Sequence, residues 1–550
     1  VVCLLAVSTL AASQGGIRPP FLIRPTTQGG APDLTCDDSS STTTSAGLNT
    51  FLDSINSGGA SANDPRVVCL TASTITLTVL VDWTVPNHII LIGNGGLTTL
   101  GGEDGSTTTL IDNVSPGTDS ALQFSSVDGY FRMAGLTMQG GTGTIKESGM
   151  ILIGGTSTQV RFDHFHMDKS TYSTENARTG KFMYIGGFIE GVIDHALFHH
   201  GEENGWIHMV NGDLGTSDDH GDVRWSEPTG FGTSDFMFVE DSEFIGTWSG
   251  NGPSFATATD CQTGGKYVIR YNTFENVQVG QTHPTGHAGD DRGCRAFEVY
   301  GNTATSTSDP VSVSPMFVFT YNVSGAQLTW GNSVGGTNGV YKHIIYFNIC
   351  RQDSGCGYDP PYGPGATPAH SWGTCGSDGS AWDGNTLGNS YPCIDQPGRG
   401  QGDLISGTFG VGAGRTNQTL GSPTWPRQAL EPVYEWLTTG DIASGWGGSW
   451  LSNGASPQAV QDRDFFLHHG NTGCNAGAGT CSTGVGVGTL AQRPANCALN
   501  VAWWATDQGG DWNTSNGTAN DGQLYRCDST DHWTVHYTPY TYPHPLQSTL

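Results

Sequence analysis

The stretch "KYVIRYNTFENV", residues 266–277, is an apolar burst that stops at an asparagine and resumes on a phenylalanine. Close variants recur as "VRFDHFHM" from Val160, "GVIDHALF" from Gly191, "FVEDSEF" from Phe238, "FVFTYNVS" from Phe317 and "IIYFNIC" from Ile344. Aligned on Asp163, Asp194, Asp241, Asn272, Asn302, Asn322 and Asn348, the units repeat at intervals of 20 to 31 residues, with one interval of 47. A unit this short cannot bury its apolar face alone and needs neighbours stacked on it. The repeat therefore predicts a solenoid of short strands and variable loops. Strand side chains alternate between faces. Phe162, Ile193, Tyr271, Tyr321 and Phe347, with Val160, Phe238, Ile269, Phe319 and Ile345, are accordingly expected inside. Arg161, Val192, Val239, Arg270, Thr320 and Tyr346 are expected outside. An Asn or Asp that closes a strand can take a left-handed backbone and bond its own turn. Stacked anchors then form a ladder, with Asp163 and Asp194 on rungs that Asn fills elsewhere.

Composition agrees. Glycine is abundant, at 81 of 550 residues, and only 13% of residues are charged, a balance that could signal disorder. The 36% hydrophobic content arrives in short, spaced bursts, which points to an all-β chain of short strands and tight turns. No stretch reads as a long amphipathic helix. The formal charge of −28, with five lysines and seventeen arginines, excludes a nucleic-acid partner, which would need clustered cations. A polyanionic ligand would need divalent cations or a local arginine cluster.

"VVCLLAVSTLAASQGG" at the start has the apolar run and small residues of a secretory signal, so residues 1–12 are expected to be its remnant. No other run nears the ~20 apolar residues of a membrane span, and the mature protein is expected to be secreted. Cys3 lies in that segment. Twelve cysteines remain: Cys36, Cys69, Cys261, Cys294, Cys350, Cys356, Cys375, Cys393, Cys474, Cys481, Cys497 and Cys527. Their even number fits disulfides in an oxidising compartment, with nearest-neighbour pairing the simplest arrangement. No CxxC pair suggests zinc.

With "NHIILIGNGG" upstream and "FEVYGNT" after Ala296, the bursts resemble the right-handed parallel β-helix of the pectate-lyase-like superfamily. The likeness covers roughly residues 80 to 410. It implies an all-β solenoid and a superfamily that holds polysaccharide lyases, glycoside hydrolases, phage tailspikes and non-catalytic surface proteins, so fold alone leaves function open. The polygalacturonate hydrolases of that superfamily carry a paired Asp followed by "GHG" and "RIK". Here "GHAGDD" reverses the order and "RIK" is missing, which speaks against that assignment. The chain divides into the signal remnant 1–12, an N-terminal cap 13–80, the β-helix 81–410, a Trp/Gly-rich capping region 411–488 and a small β module 489–550. "WPRQALEPVYEWL", 425–437, is the best candidate for a short helix or ordered cap segment. Eight of fifteen tryptophans follow residue 420, and packing at the end of the solenoid is the favoured reading for them over sugar stacking.

Two clusters could carry chemistry. "QTHPTGHAGDDRGCRAFEVY" holds His283, His287, Asp290, Asp291, Arg292 and Arg295, close to Lys266 and Arg270. A uronate lyase needs a cation or arginine to acidify the proton beside a carboxylate and a base to remove it, roles open to Lys266, Arg270, His287, Arg292 and Arg295. An inverting hydrolase needs two carboxylates about 6.5–9.5 Å apart, which Asp241, Asp290 and Asp291 could supply. The alternative is a turn held by Asp–Arg pairs and a Cys261–Cys294 bridge. The second cluster runs from Asp194 to Trp225. His199, His200 and Trp206, with His283, are candidates for substrate binding, and Asp218, Asp219 and Asp222 for Ca²⁺. Asp163-His164 and Asp194-His195 are similar to the "DH" of pectate-lyase-like coils, where the acid can take part in Ca²⁺ binding. The expected function is binding and cleavage of an extracellular polysaccharide by a lyase or hydrolase. The rival is a non-catalytic structural, adhesin or filament-forming protein capable of self-assembly.

Overall fold

The computed structural model describes residues 34–102, 107–114, 120–142, 149–169, 181–199, 205–210, 221–246, 257–283, 292–306, 318–336, 341–347, 395–402, 428–442, 449–452 and 459–548. These wind into a right-handed parallel β-helix with three long parallel sheets. One coil reads Val160–Asp163, His166–Asp168 and Met183–Gly187, and the next opens with Gly191–Asp194, paired in register on Val160–Asp163. The first sheet runs from Asp38–Ser40 to Phe465–Leu467, the second from Thr74–Leu77 to Thr439–Gly440 and the third from Val81–Thr84 to Ser449–Ser452.

Parallel register places like on like. Phe162 stacks through Ile193, Val239 and Ile269 into a continuous interior. On the second sheet Phe198, Phe244 and Phe274 lie face to face, with ring centroids 4.6 and 4.9 Å apart. Each buried phenylalanine stabilises the column by about 1.5–3 kcal/mol.

The structure shifts the expected anchors. Asp163 pairs with Asp194, then Glu240, Arg270 and Tyr300. The corner residue after each of these strands is left-handed: His164, His195, Asp241, Tyr271, Gly301 and Gly331 have φ between 49° and 66°. Only the next position carries the asparagine ladder. Asn302 Oδ1 accepts from Asn272 N–H at 3.0 Å, and Asn332 Oδ1 accepts from Asn302 N–H at 3.1 Å. Phe165 and Ala196 occupy that position in the earlier coils, so Asp163 and Asp194 are strand residues and not rungs. Val239 is therefore inside and Phe238 outside, while Tyr271 turns outward at the corner. Asn322 ends a strand of the third sheet, and Asn348 lies outside the described residues. A corner that spends one residue in the left-handed conformation before the ladder explains the offset.

The helix Ser45–Asp53 covers the first coil, with Leu48 and Leu52 buried and the Thr44 side chain accepting from Gly47 N–H. Cys36–Cys69, Cys261–Cys294, Cys474–Cys481 and Cys497–Cys527 are bonded as nearest neighbours. Cys350, Cys356, Cys375 and Cys393, like the expected signal remnant, lie outside the described residues. In place of a helix at 425–437, Val433–Trp436 is a first-sheet strand in register with Leu328–Trp330. Pro432 breaks a helix there, while alternation sends Val433 inward and Tyr434 and Trp436 outward. Among the described residues no helix is long and apolar enough to cross a membrane.

Val485–Gly488, Ala502–Ala505, Gln523–Ser529 and His532–Tyr537 form a separate four-stranded sheet. Its Trp504 packs on Trp330 and Trp436, which stack on each other at 5.6 Å. These tryptophans are packing residues. Beyond Tyr537 the chain returns across the outer face of the first sheet as a strap, residues 540–548.

Candidate functional site

The outer face of the first sheet holds most of the expected catalytic cations, and internal partners occupy them. Arg270 is fully buried. It pairs with Glu240, donates to Tyr300 Oη at 2.9 Å, and reaches the strap carbonyls of Tyr540 and Thr541 at 2.7 and 2.8 Å. Arg161 donates to the carbonyls of Leu546 and Gln547. In return His544 N–H and Gln547 Nε2 donate to Glu240, and the Tyr542 hydroxyl donates to Asp241. Arg292 makes a bidentate pair with Asp395. Arg295 donates to the carbonyls of Arg224 and Glu227 and lies over Trp225, which Arg292 covers from its own side. Lys266 sits over Phe236 under residues 229–236, and burial, together with the charges of Arg224 and Arg295, lowers its pKa to about 8. These side chains knit covers onto the solenoid and do not meet in one trough.

Of the other expected residues, Trp206 is in the core, edge-on to Phe182 and stacked on Phe244. His199 lies on the second sheet, edge-on to His166. Asp222 begins the short helix Asp222–Ser226. His200, Asp218, Asp219, His287, Asp290 and Asp291 lie outside the described residues. Among the described residues no three His, Cys, Asp or Glu side chains are arranged to hold a metal ion.

A different polar constellation lies on the third sheet. Its strands Met183–Gly187, Ile207–Val210, Thr257–Gln262 and Gln278–Gln281 turn Ile185, Met209 and Cys261 into the core. Alternation therefore turns Tyr184, His208, Asp260 and Gln281 outward, in register along the column. The row continues through Tyr321, expected inside but turned outward, and Tyr346, whose rings stack at 5.5 Å. Strands repeat every ~4.8 Å, so Tyr184 and Tyr321, four strands apart, stand roughly 19 Å from each other.

The centre of the row is Asp260. His283 Nε2–H donates to its Oδ2 at 2.9 Å, Gln281 Nε2 approaches at 3.5 Å, and His208 Nδ1 stands 3.6 Å away. At that distance His208 stands beyond normal hydrogen-bond range of the carboxylate. Burial disfavours the Asp260 charge, yet His283 holds the carboxyl well below its usual range. His208 is 1% exposed, and burial, reinforced by Lys181, depresses its pKa to about 3, so the ring is neutral. Among the described residues neither of its ring nitrogens has a hydrogen-bond partner. His283, with 15% of its side chain exposed, also places Nδ1 at 3.1 Å from Gln262 Oε1. Tyr184 stacks on His208 at 5.3 Å and closes the other side.

The arrangement joins an ionised carboxylate and two imidazoles on one face, flanked by tyrosine rings. Such a set can move a proton at a partly exposed atom. His283 was expected from the sequence. Asp260 was missed because "TATDCQ" carries no apolar burst, and its only signal was the adjoining Cys261 that pins the strand to Cys294. No protein-family model matches the chain, and neither a curated protein nor a solved structure matches it significantly.

Proposed function

We propose that the protein is a secreted member of the pectate-lyase-like β-helix group that binds and cleaves an extracellular polysaccharide along the outer face of the third sheet. One observation carries this reading: Asp260 with His283 and His208 lies at the middle of a row bounded by Tyr184 on one side and by Tyr321 and Tyr346 on the other. Aromatic rings on either side of a proton-transfer centre suit a chain of sugars laid along the column, with ring edges packing against the sugars and the centre taking the scissile linkage. His283 is the side chain that reaches substrate, while Asp260 orients it. Four disulfides fit the oxidising compartment in which such a substrate is found.

The test is a polysaccharide panel assayed for new reducing ends and for the ultraviolet absorbance of unsaturated uronates, with and without Ca²⁺, on the wild type and on Asp260→Asn. Cleavage that Asp260→Asn abolishes supports the reading. Cleavage unchanged in that variant sinks it. A second reading, a non-catalytic surface or structural protein, is favoured by the internal use of Lys266, Arg270, Arg292 and Arg295. Absence of both products across the panel would select it.

A further inference from the structure

The four-stranded sheet near the C-terminus turns one face to the solenoid and the other away from it. Leu524 and Tyr537 pair across from Trp504 and face Trp330 and Trp436. Tyr525, the next residue of its strand, points the opposite way beside its cross-strand partner Val535, which is 55% exposed. Arg493 lies over this outer face. Its guanidinium carbon stands 4.5 Å from the Tyr525 ring centre and 5.3 Å from that of Trp533. We infer that Arg493 and Tyr525 form a binding site for isolated carboxylate groups on a glycan, separate from the third-sheet row. That a glycan carries the carboxylate rests on the reading above.

Four other arginines show how this chain holds a carboxylate. Arg66, Arg132, Arg161 and Arg292 each turn Nε and Nη2 to one aspartate: Asp38, Asp163, Asp194 and Asp395. That edge is a planar fork matched to the two carboxylate oxygens. Arg493 has the same edge with nothing on it among the described residues. Its Nη1 is shut off from solvent without a hydrogen bond, while Nε and Nη2 are unbonded and open. Burial lowers the pKa of the group, and no carboxylate among the described residues offsets that. Acidic residues outnumber basic ones 50 to 22, so a shortage of carboxylates does not explain the vacancy.

The fork is held in place. The turn Leu490–Gln492 before it is closed by a reciprocal pair of bonds between Thr489 and Gln492. The carbonyl of Pro494 accepts from Trp533 Nε1–H at 2.9 Å, and Cys497–Cys527 ties the segment to the strand of Tyr525. A guanidinium stacked on rings keeps its rim of N–H groups free for a ligand. Tyr525 adds a hydroxyl that can donate to the same anion, and Val535 gives the sugar body an apolar surface. One fork takes one carboxylate. A polyuronate would bring its remaining charges against a chain of −28, so a glycan with sparse acidic groups fits better.

The test titrates the full-length protein with glucuronoxylan, whose uronates are isolated, and with the same polymer after its carboxyl groups are reduced to alcohols. The wild type is expected to bind the acidic form roughly tenfold more tightly at low salt, with the difference shrinking as salt rises. Arg493→Ala should bring the acidic form down to the affinity of the reduced form. Arg493→Lys should recover little of the difference, because one ammonium lacks the fork. Both variants should bind the reduced form as the wild type does, which also shows that they fold. Equal wild-type affinity for the two forms, or a preference retained in Arg493→Ala, would overturn the carboxylate site and leave the third-sheet reading standing. No binding of either form would overturn both.

Discussion

The guanidinium of Arg270 donates to the main-chain carbonyl of Tyr540 at 2.7 Å, across 270 residues of chain. That bond and its neighbours turn the outer face of the first sheet into a closed seam: arginines meet strap carbonyls, and carboxylates meet strap N–H and O–H groups. Replacing Arg270 with Ala leaves Glu240 buried without its cation, a change that costs about 3–5 kcal/mol. Urea unfolding should show this loss, and limited proteolysis should release the segment after Tyr537. Arg270→Lys should not restore it, since a single ammonium cannot reach Glu240, Tyr300 and two carbonyls together.

Acidity should act on the same seam from two sides. Glu298 accepts from the Tyr537 hydroxyl at 2.6 Å and from Gly232 N–H, and burial, against those bonds, raises its pKa to about 7. A raised carboxyl contributes stability that is complete below its unfolded value and fades as pH climbs through about 7. His544 is the opposite case. Burial, with the charge of Arg270, lowers it to about 3, so its contribution is complete above the unfolded histidine value and fades as pH falls toward about 3. Melting temperature followed from pH 4 to 8 should therefore fall at both ends. Glu298→Gln should shrink the alkaline limb without removing it, because burial raises Glu240 and Glu435 to about 7 as well, and should leave the acid limb unchanged.

Phe244 lies between Phe198 and Phe274 in the interior stack. Phe244→Ala should lower unfolding free energy by about 3–5 kcal/mol through lost burial and a cavity the rigid column cannot close. Denaturant titration reads the change directly.

Asn302 is bonded on both sides of the ladder: its Oδ1 accepts from Asn272 N–H, and its Nδ2 donates to Ile269 O and Asn332 Oδ1, each at 3.0 Å. Asn302→Ala leaves buried groups unpaired at about 1–3 kcal/mol each. The loss should exceed that of an alanine at half-buried Thr303, measured by the same titration.

The column was legible because its rule is local. Recurrent apolar pairs such as Val160 with Phe162 and Tyr267 with Ile269 mark the inward face of successive strands, and cysteines such as Cys261 and Cys294, one coil apart, meet by stacking. Corners were less legible. Asp163 and Asn272 look alike in an alignment, yet one ends a strand and the other follows a left-handed residue, and only φ distinguishes them. Arg270 and Arg295 read as free cations because their partners, Tyr540 and Glu227, belong to covers that no repeat announces. Asp260 was hidden for a related reason: its neighbours His208 and His283 are 52 and 23 residues away, brought alongside by coil register alone.

The central claim is that glycan lies along the third-sheet row and not elsewhere on the solenoid. Affinity of neutral xylan and β-glucan for Tyr184→Ala, Tyr321→Ala and the second-sheet variant His199→Ala tests it most directly. The account predicts a roughly tenfold loss in each tyrosine variant and wild-type affinity in His199→Ala. Wild-type affinity in both tyrosine variants, with binding lost in His199→Ala, would contradict it.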